Sequence, residues 1–216
     1  MKFTPTDLKL ILEGIAHDLE THKDHLCELD SEVGDGDHGV SITIGMRAIR
    51  RALRELPDTA LTFEQVWRSA AEAFADDVGA SIGPLYEAAF SAAAEVSRDK
   101  TSLGDLSTWA EIVTQMATAI QTTGKASVGD KTMVDAWLPA ASAIRSALDA
   151  GSSLPNGLHL AARAARAGAL GTRGLLPRLG RASRLGERAR AAQDAGATSA
   201  ALILESLAER VSNERT

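Results

Sequence analysis

Apolar residues recur at intervals of three or four along most of the chain, which is the period of an amphipathic helix. The first such stripe consists of Leu8, Ile11, Leu12, Ile15 and Leu19. Thr4 can cap this helix, and Pro5 suits its first turn. Later stripes run over residues 42–53, 66–74, 85–96, 112–120, 134–148, 155–169 and 198–211. The spacing therefore predicts about eight helices joined by polar loops.

Signals for β-strands are missing, because no segment alternates apolar and polar residues over a convincing length. Aromatic residues make up 4% of the chain, and alanine and leucine dominate its apolar residues, a balance that favours helices over sheets. Capping boxes that start at Thr62 and Thr108 predict two further helix starts, and Pro139 should bend the sixth helix. We expect an all-α fold that occupies residues 1–216 as one domain.

Composition and charge exclude several classes of protein. A net charge of −6 argues against general nucleic-acid binding, and no run approaches the roughly 20 apolar residues of a membrane span. The N-terminus lacks the apolar stretch and cleavage site of a signal peptide. A single cysteine, Cys27, rules out an intramolecular disulfide and fits a reducing compartment. We expect a cytoplasmic protein without nucleic-acid or membrane partners, in which Cys27 is an inert, partly buried residue.

Arginines are concentrated in the last third of the chain. Eight of them lie between Arg163 and Arg190, against one acidic residue, Glu187. Such a run is typical of a solvated helix and loop, but it also fits a basic arm that meets phosphate or an acidic partner. Residues 171–196 in this region are long for a connection inside a compact domain, and loops of that length are usually functional or mobile.

The stretch SEVGDGDHGVS, residues 31–41, combines acids with glycines between two helical stripes. Asp30, Asp35 and Asp37 repel one another when ionised, and a divalent cation would offset that repulsion. Carboxylate oxygens suit a hard ion such as magnesium, which usually keeps positions open for water and substrate phosphates. Residues 38–41 then begin a helix, whose first N–H groups favour an anion. The stretch is therefore a candidate binding site for metal and polyphosphate.

Other interpretations of this stretch compete with a metal site. Glycine and aspartate also cluster in ordinary turns, and the stretch alone leaves a turn and a metal site equally open. An EF-hand fits poorly, because the glycine and the terminal glutamate of that loop do not fall at the required positions from Asp35. An aspartyl nucleophile of the haloacid type would need a strand before the motif, whereas a helix precedes this one.

A second glycine-containing stretch, GKASVGDKT at residues 124–132, nearly matches a nucleotide-binding P-loop. Asp130 interrupts the pattern, and the stretch links two helices rather than a strand and a helix, so we reject a true P-loop. Asp130 is instead predicted to cap the helix that starts at Thr132. Similar glycine-bearing loops precede helices at 34–39, 79–83 and 194–196. If the helices are antiparallel, these loops can gather at one end and form a site there.

Taken in order, the motifs resemble those of the nucleotide-binding L subunit of dihydroxyacetone kinase. They are GDGDHG, GASIGPLY, GDKTMVDAW, GRASRLGER and DAGATS, and the resemblance runs from about Leu8 to Leu207. It extends equally to the ATP-binding C-terminal domain of the single-chain forms of that kinase. The resemblance implies a barrel of eight antiparallel amphipathic helices, with ATP or ADP bound by the interhelical loops at one end.

The resemblance also implies roles for individual residues. Asp30, Asp35 and Asp37 would hold two magnesium ions that bridge the nucleotide phosphates. The residues along the phosphates would be His38, Gly39, Val40 and Ser41. Those that line the nucleoside pocket would be Ser81, Ile82, Gly124, Thr132 and Met133. The long loop that closes over the nucleotide would contribute Arg181, Asp194, Ala195 and Gly196. Within that set, Arg181 would help to stabilise the transferring phosphoryl group.

The sequence departs from the family pattern at three points. Ser41 stands where the family often has asparagine, and GASIG places Ile82 where a small residue is usual. At 194–196, Asp-Ala-Gly replaces Asp-Pro-Gly. None of these changes touches the predicted metal ligands, so we interpret them as variation within the family, which could accompany a different sugar.

The resemblance implies one half of a kinase. A separate K subunit would hold the ketose while this chain supplies nucleotide and metal, so the chain alone should show negligible kinase activity. ATP could exchange in each turnover, or ADP could stay bound and be rephosphorylated by a phosphotransferase-system protein. The ketose could be dihydroxyacetone or a tetrulose such as erythrulose. Two alternatives stay open: a regulatory module that contacts a transcription regulator, and the nucleotide-binding domain of a fatty-acid kinase.

Overall fold

This computed structural model describes residues 3–57, 59–79 and 81–213, with the backbone but not the side chain of Arg181. The helices are α1 (Pro5–Thr21), α2 (Lys23–Ser31), α3 (His38–Glu55), α4 (Phe63–Asp77), α5 (Ile82–Ser97), α6 (Leu106–Gly124), α7 (Val134–Asp149), α8 (Leu154–Gly171) and α9 (Ala195–Asn213). A 3-10 segment, Arg181–Ala189, lies between α8 and α9. The described residues contain no strand, so the all-α prediction is confirmed.

The helices form a closed ring. Each helix from α3 to α9 packs on the next one along the chain, and α1 packs on both α3 and α9. The ring therefore contains the eight helices that the pattern predicted, α1 and α3 to α9. Helix α2 is an addition that packs on α3. The apolar pattern missed it because only Leu26 and Leu29 of its nine residues are buried.

Large apolar side chains fill the interior of the ring. Trp109, Trp137, Tyr86, Phe63 and Phe74 are among the largest side chains that are fully buried. The ring centroid of Tyr86 lies 5.1 Å from that of Phe74, which ties α4 to α5. Each buried side chain of this size contributes roughly 1.5–3 kcal/mol through the hydrophobic effect. Packing between helices, rather than helix propensity, therefore stabilises the ring.

Side-chain caps set several helix boundaries, and two of them, at Thr4 and Thr62, were predicted. Thr4 accepts a hydrogen bond from the Asp7 N–H at 3.2 Å, and Thr62 caps α4 in the same way. The cap predicted at Thr108 is wrong: Asp105 caps α6 and accepts from the Thr108 N–H at 2.8 Å. Thr108 lies in the first turn of α6 because the aspartate three residues earlier can accept that bond. Pro139 lies inside α7, as predicted.

No helix in the described part of the chain is both long and apolar enough to cross a membrane.

Candidate functional site

A cavity of about 520 Å³ opens at the end of the ring where α3, α5, α7 and α9 begin. The loop before each of these helices contributes to its wall, and so does the C-terminal end of α6. The glycine-bearing loops therefore gather at one end, as the sequence predicted for antiparallel helices. A cavity of this size can enclose a ligand as large as a nucleotide.

Three carboxylates form a cluster at one side of this cavity. Asp30 lies in the last turn of α2, and Asp35 and Asp37 lie in the following loop. One carboxylate oxygen from each falls within 4.8 Å of the others. The Asp30 Oδ2 accepts a hydrogen bond from the Asp37 N–H at 3.0 Å, which fixes the two residues relative to each other. Gly36, with φ of 75°, makes the turn between Asp35 and Asp37 in a conformation that other residues rarely adopt.

The donor set of this cluster fits magnesium. Its ligands are all carboxylate oxygens, the type that hard divalent cations prefer. Asp35 and Asp37 are exposed towards the cavity mouth, so positions on a bound ion would stay open to water or phosphate oxygens. A cation here would also offset the repulsion among the three acids.

The helix N-termini at the cavity differ from those at the other end of the ring. Helices α1, α4, α6 and α8 begin with a side chain that accepts a hydrogen bond from the first turn. Asp37 and Ser81, which precede α3 and α5, make no such bond. The other two starts at the cavity do have a side-chain partner: the first N–H of α7 donates to the Thr132 hydroxyl at 3.2 Å, and Asp194 caps α9. The first N–H groups of a helix lack partners within the helix, and together with the helix dipole they attract anions. The cavity thus receives two helix N-termini, those of α3 and α5, that are suited to phosphate.

His38 is the first residue of α3 and is held in its neutral form. Its Nε2 lies 2.9 Å from the Ser199 Oγ, and the Ser199 hydroxyl donates to the Gly196 carbonyl at 3.0 Å. Because that donation uses the hydroxyl proton, the Nε2 of His38 is the donor to Ser199. Burial lowers the pKa of His38 to about 4, although the nearby Asp30 opposes this shift. A neutral His38 positions the start of α3 against α9 and adds no positive charge near phosphate.

Asp194, directly before α9, is a carboxyl group with a raised pKa. Burial raises the pKa of Asp194 to about 7, and Asp135 and Asp30 add to this effect. The Asp194 carboxylate accepts a hydrogen bond from the Ala197 N–H at 2.7 Å and so caps α9. Ala195 and Gly196 follow it along the same cavity wall. This end of the site therefore carries negative charge that a bound cation would stabilise.

The loop between α6 and α7 is shaped by two aspartates, one of which the sequence misassigned. Asp130 does not cap α7; its carboxylate accepts from the Ser127 N–H at 2.7 Å, inside the loop. α7 begins at Val134, and Asp135 in its first turn accepts from the Gly129 and Thr132 N–H groups at 2.5 and 2.8 Å. Asp130 points back into the loop because its own backbone lies in a turn closed by the Ser127 carbonyl.

Most residues predicted for the site lie in the cavity wall. They are Asp30, Asp35, Asp37, His38, Ser41, Ser81, Ile82, Gly124, Thr132, Met133, Asp194, Ala195 and Gly196. Gly39 and Val40 do not line it: Gly39 packs against α2, and the Val40 side chain is 43% exposed. The side chain of Arg181 lies outside the described residues, although its neighbours Gly180 and Ala182 line the cavity.

Sequence reasoning missed several parts of the site. Leu85 and Ile120 provide an apolar wall beside Ile82, suited to the flat face of a base. Lys131 and Asp135 are buried charges that shape the loop before α7. The sequence signal for Lys131 was its position after Gly129 and Asp130, which the failed match to a P-loop obscured.

An all-helical ring with a carboxylate cluster and open helix N-termini at one end is suited to holding a metal and a phosphate-bearing ligand. The chain belongs to the DAK2 domain family, whose model matches residues 32–209. The predicted resemblance to the L subunit of dihydroxyacetone kinase is confirmed by this match and by the relatives that follow.

Two curated relatives illustrate the range of the family. The chain is 37% identical over 193 residues to the ADP-binding subunit DhaL of the PTS-dependent dihydroxyacetone kinase of Lactococcus lactis, covering 89% of this chain and 91% of the relative. It is 34% identical over 191 residues to the L-erythrulose kinase of Pectobacterium atrosepticum, covering 88% of this chain but 32% of the relative.

A solved structure shares the fold. The dihydroxyacetone kinase of C. freundii, in complex with AMP-PNP and Mg²⁺, matches with a TM-score of 0.72 and 26% sequence identity. The match covers 97% of this chain and 34% of that one. The chain therefore corresponds to about a third of that kinase.

Proposed function

We propose that the chain is the nucleotide- and magnesium-binding subunit of a kinase that phosphorylates a small ketose. The observation that carries the proposal is the convergence, in one cavity, of the carboxylate cluster at Asp30, Asp35 and Asp37 with the uncapped starts of α3 and α5. The names of the relatives support the same function, since they include an ADP-binding kinase subunit and a kinase complex with AMP-PNP and Mg²⁺.

Each part of the cavity would contribute to phosphoryl transfer in a different way. The three aspartates would hold two magnesium ions, and bound magnesium supplies neutralisation of charge on the phosphates. The N–H groups at the start of α3, near His38 and Ser41, would orient phosphate oxygens. Ile82, Leu85 and Ile120 would enclose the base. Arg181, whose backbone neighbours line the cavity, would bring positive charge to the transferring group.

The chain would work with a partner that holds the ketose. A K-type subunit would present the sugar hydroxyl to the nucleotide at the cavity mouth, so we expect negligible turnover by this chain alone. ATP could exchange in each cycle, or bound ADP could be rephosphorylated by a phosphotransferase-system protein, as the name of the Lactococcus relative suggests for that enzyme. The similarity to an L-erythrulose kinase favours a tetrulose as the second candidate substrate.

Calorimetric titration with ADP in the presence and absence of Mg²⁺ tests the proposal. We expect Mg²⁺ to strengthen ADP binding, and Asp37→Asn to weaken it about a hundredfold, because one metal ligand is lost. Asp149→Asn, an exposed acid at the opposite end of α7, is the matched control and should bind like wild type. Equal Mg²⁺-dependent affinity in Asp37→Asn and wild type would contradict the metal assignment.

Turnover assays test the kinase part separately. The purified chain is mixed with ATP and either dihydroxyacetone or erythrulose, with and without a K-type subunit. Product should form only when both subunits are present, and the preferred ketose identifies the substrate. Turnover without the partner would show that the chain carries its own sugar site.

The single domain and the cytoplasmic location stay predictions from the sequence.

A further inference from the structure

Lys131 occupies an unusual position beside the cavity. Its backbone has φ of 62°, a left-handed conformation that side-chain-bearing residues rarely adopt, and the residue is 3% exposed. Its Nζ lies within hydrogen-bonding distance of four backbone carbonyls, which share its three N–H groups: those of Ala192 at 2.6 Å, Ala189 at 2.7 Å, Arg190 at 3.2 Å and Leu175 at 3.3 Å. A buried ammonium is thus surrounded by carbonyl oxygens rather than by an acid.

These carbonyls lie at the two ends of one excursion of the chain. We call residues 172–194, between α8 and α9, the cover segment. Leu175 lies near its start, and residues 189–192 lie near its end. The two ends also contact each other directly, because the Gly174 N–H donates to the Arg190 carbonyl at 2.9 Å. Lys131, which lies in the loop before α7, therefore contacts both ends of the cover segment.

The cover segment also forms part of the cavity wall. Leu179, Gly180 and Ala182, from the middle of the segment, line the cavity. Lys131 and its chain neighbours Thr132 and Met133 line it too. The ammonium consequently connects the cover segment to the loop that holds the predicted nucleoside contacts.

We propose that Lys131 is a positioning residue that holds the cover segment closed over the nucleotide, and that its removal opens the segment and releases bound nucleotide. The part of this inference that concerns nucleotide rests on the proposed function. Opening follows because the four carbonyls would lose the ammonium in a buried place, and the Arg190 carbonyl would keep only the Gly174 N–H, which belongs to the segment itself. Nothing else from the loop before α7 reaches the end of the segment in the described hydrogen bonds. Arg178 makes the remaining link, to Asp130, nearer the middle.

The first experiment measures the segment without any ligand. Hydrogen–deuterium exchange by mass spectrometry compares wild type with Lys131→Met, which keeps the apolar stem but lacks the ammonium. We expect peptides from residues 174–192 to exchange about tenfold faster, while those from α4 to α6 stay unchanged. The control is Lys125→Met, since Lys125 is an exposed lysine of the same loop with φ of 50°. Unchanged exchange, or a uniform increase along the whole chain, would overturn the proposal.

Chemical rescue separates the ammonium from general packing. Lys131→Ala leaves a space that propylammonium can fill, whereas tetramethylammonium has no N–H group to donate. We expect propylammonium to return the exchange of residues 174–192 towards the wild-type rate and tetramethylammonium to have no effect. Equal effects of the two ions would show that the carbonyls do not need a donor there, and would overturn the proposal.

The last experiment links the segment to the nucleotide. A fluorescent ADP analogue with Mg²⁺ should dissociate about tenfold faster from Lys131→Met than from Lys125→Met or wild type. If hydrogen exchange in the cover segment accelerates but dissociation of the analogue does not, the contact between Lys131 and the cover segment does not retain nucleotide, and the proposal is overturned. If wild type itself fails to bind the analogue, the proposed function fails, while the exchange experiments still test whether Lys131 holds the cover segment closed.

Discussion

Helix α9 meets an aspartate near its start and another along its second half, and the two carboxyl groups have opposite electrostatics. At the start, Asp194 faces the cavity, and burial raises its pKa to about 7. In the second half, Asp18 of α1 accepts hydrogen bonds from Ser206 at 2.6 Å and Arg210 at 2.7 Å. Burial alone would raise the pKa of Asp18, but these two bonds outweigh it and lower the pKa. Twelve residues of helix, about 18 Å, separate Asp194 from Ser206.

The difference shows how one helix serves stability and binding in separate places. Around Asp18 the chain supplies its own counter-charge, so ionisation stabilises the folded protein. Around Asp194, burial raises the pKa and Asp135 and Asp30 add to this effect, which outweighs the Ala197 N–H and the Lys131 charge that lower the pKa. Ionisation of Asp194 therefore costs free energy in the folded protein, and a bound cation would lower that cost. Four substitutions test this contrast.

The largest effect is expected from Gly39→Ala, which tests whether packing also holds the site end together. A Cβ at Gly39 would overlap the Lys23 carbonyl of α2, so α2 and α3 would have to separate. We expect a loss of about 3 kcal/mol in the free energy of unfolding, measured with urea in EDTA. Because Asp30 lies on α2 and Asp37 directly precedes α3, Mg²⁺ affinity should fall as well.

The control for this substitution is Gly171→Ala at the end of α8. No atom lies within 4 Å of a Cβ built there, and we expect little change in stability or Mg²⁺ affinity. A Gly39→Ala protein that keeps wild-type Mg²⁺ affinity would show that the carboxylate cluster does not depend on the contact between α2 and α3.

Asp194→Asn should stabilise the metal-free protein, because asparagine can still cap α9 but carries no charge. The pKa of Asp194 is raised in the folded state, so its ionisation costs nothing below pH 3.8 and its full amount above about pH 7. The variant should therefore gain about 2 kcal/mol over wild type at pH 8 and much less at pH 4.5. Urea unfolding at several pH values measures the gain, and a gain that does not grow with pH would contradict the assignment.

Asp18→Asn should act in the opposite direction. The folded-state pKa of Asp18 is lowered, so its contribution is present above pH 3.8 and is lost as the pH falls through the folded-state value. We expect the variant to lose about 1 kcal/mol at pH 7, a modest amount because both partners are about one-third exposed and solvent screens them. Asp24→Asn, whose side chain is 90% exposed, should leave stability unchanged. Equal losses in the two variants would remove the contrast between the ends of α9.

Local patterns predicted the fold well and the site only in part. The ring helices followed from apolar spacing because each of them buries one face, whereas α2 buries too few residues to produce a stripe. The carboxylates at Asp30, Asp35 and Asp37 were found because they lie close in sequence. The contact between Asp18 and Arg210 spans 192 positions, and no local pattern indicates it.

The errors near the site have the same physical origin. A cap is predicted from spacing alone, yet Asp130 accepts a bond inside its own loop, and Met133 rather than Asp130 lies at the cap position of α7. The role of Lys131 depends on carbonyls 44 to 61 positions away. Backbone carbonyls carry no sequence signature, so a lysine that binds them resembles any other lysine in the sequence.

The smallest effect is expected from Val40→Ala, which asks whether the site end acts through backbone or side chain. Val40 was predicted to lie along the phosphates, but its side chain is 43% exposed and does not line the cavity. At this position in the first turn of α3, the backbone N–H is the group that could orient a phosphate oxygen. We therefore expect ADP affinity with Mg²⁺ to stay within about twofold of wild type, since alanine keeps that N–H and the helix. A tenfold weaker affinity in calorimetric titration would mean that the Val40 side chain contacts the nucleotide or orders the loop that does.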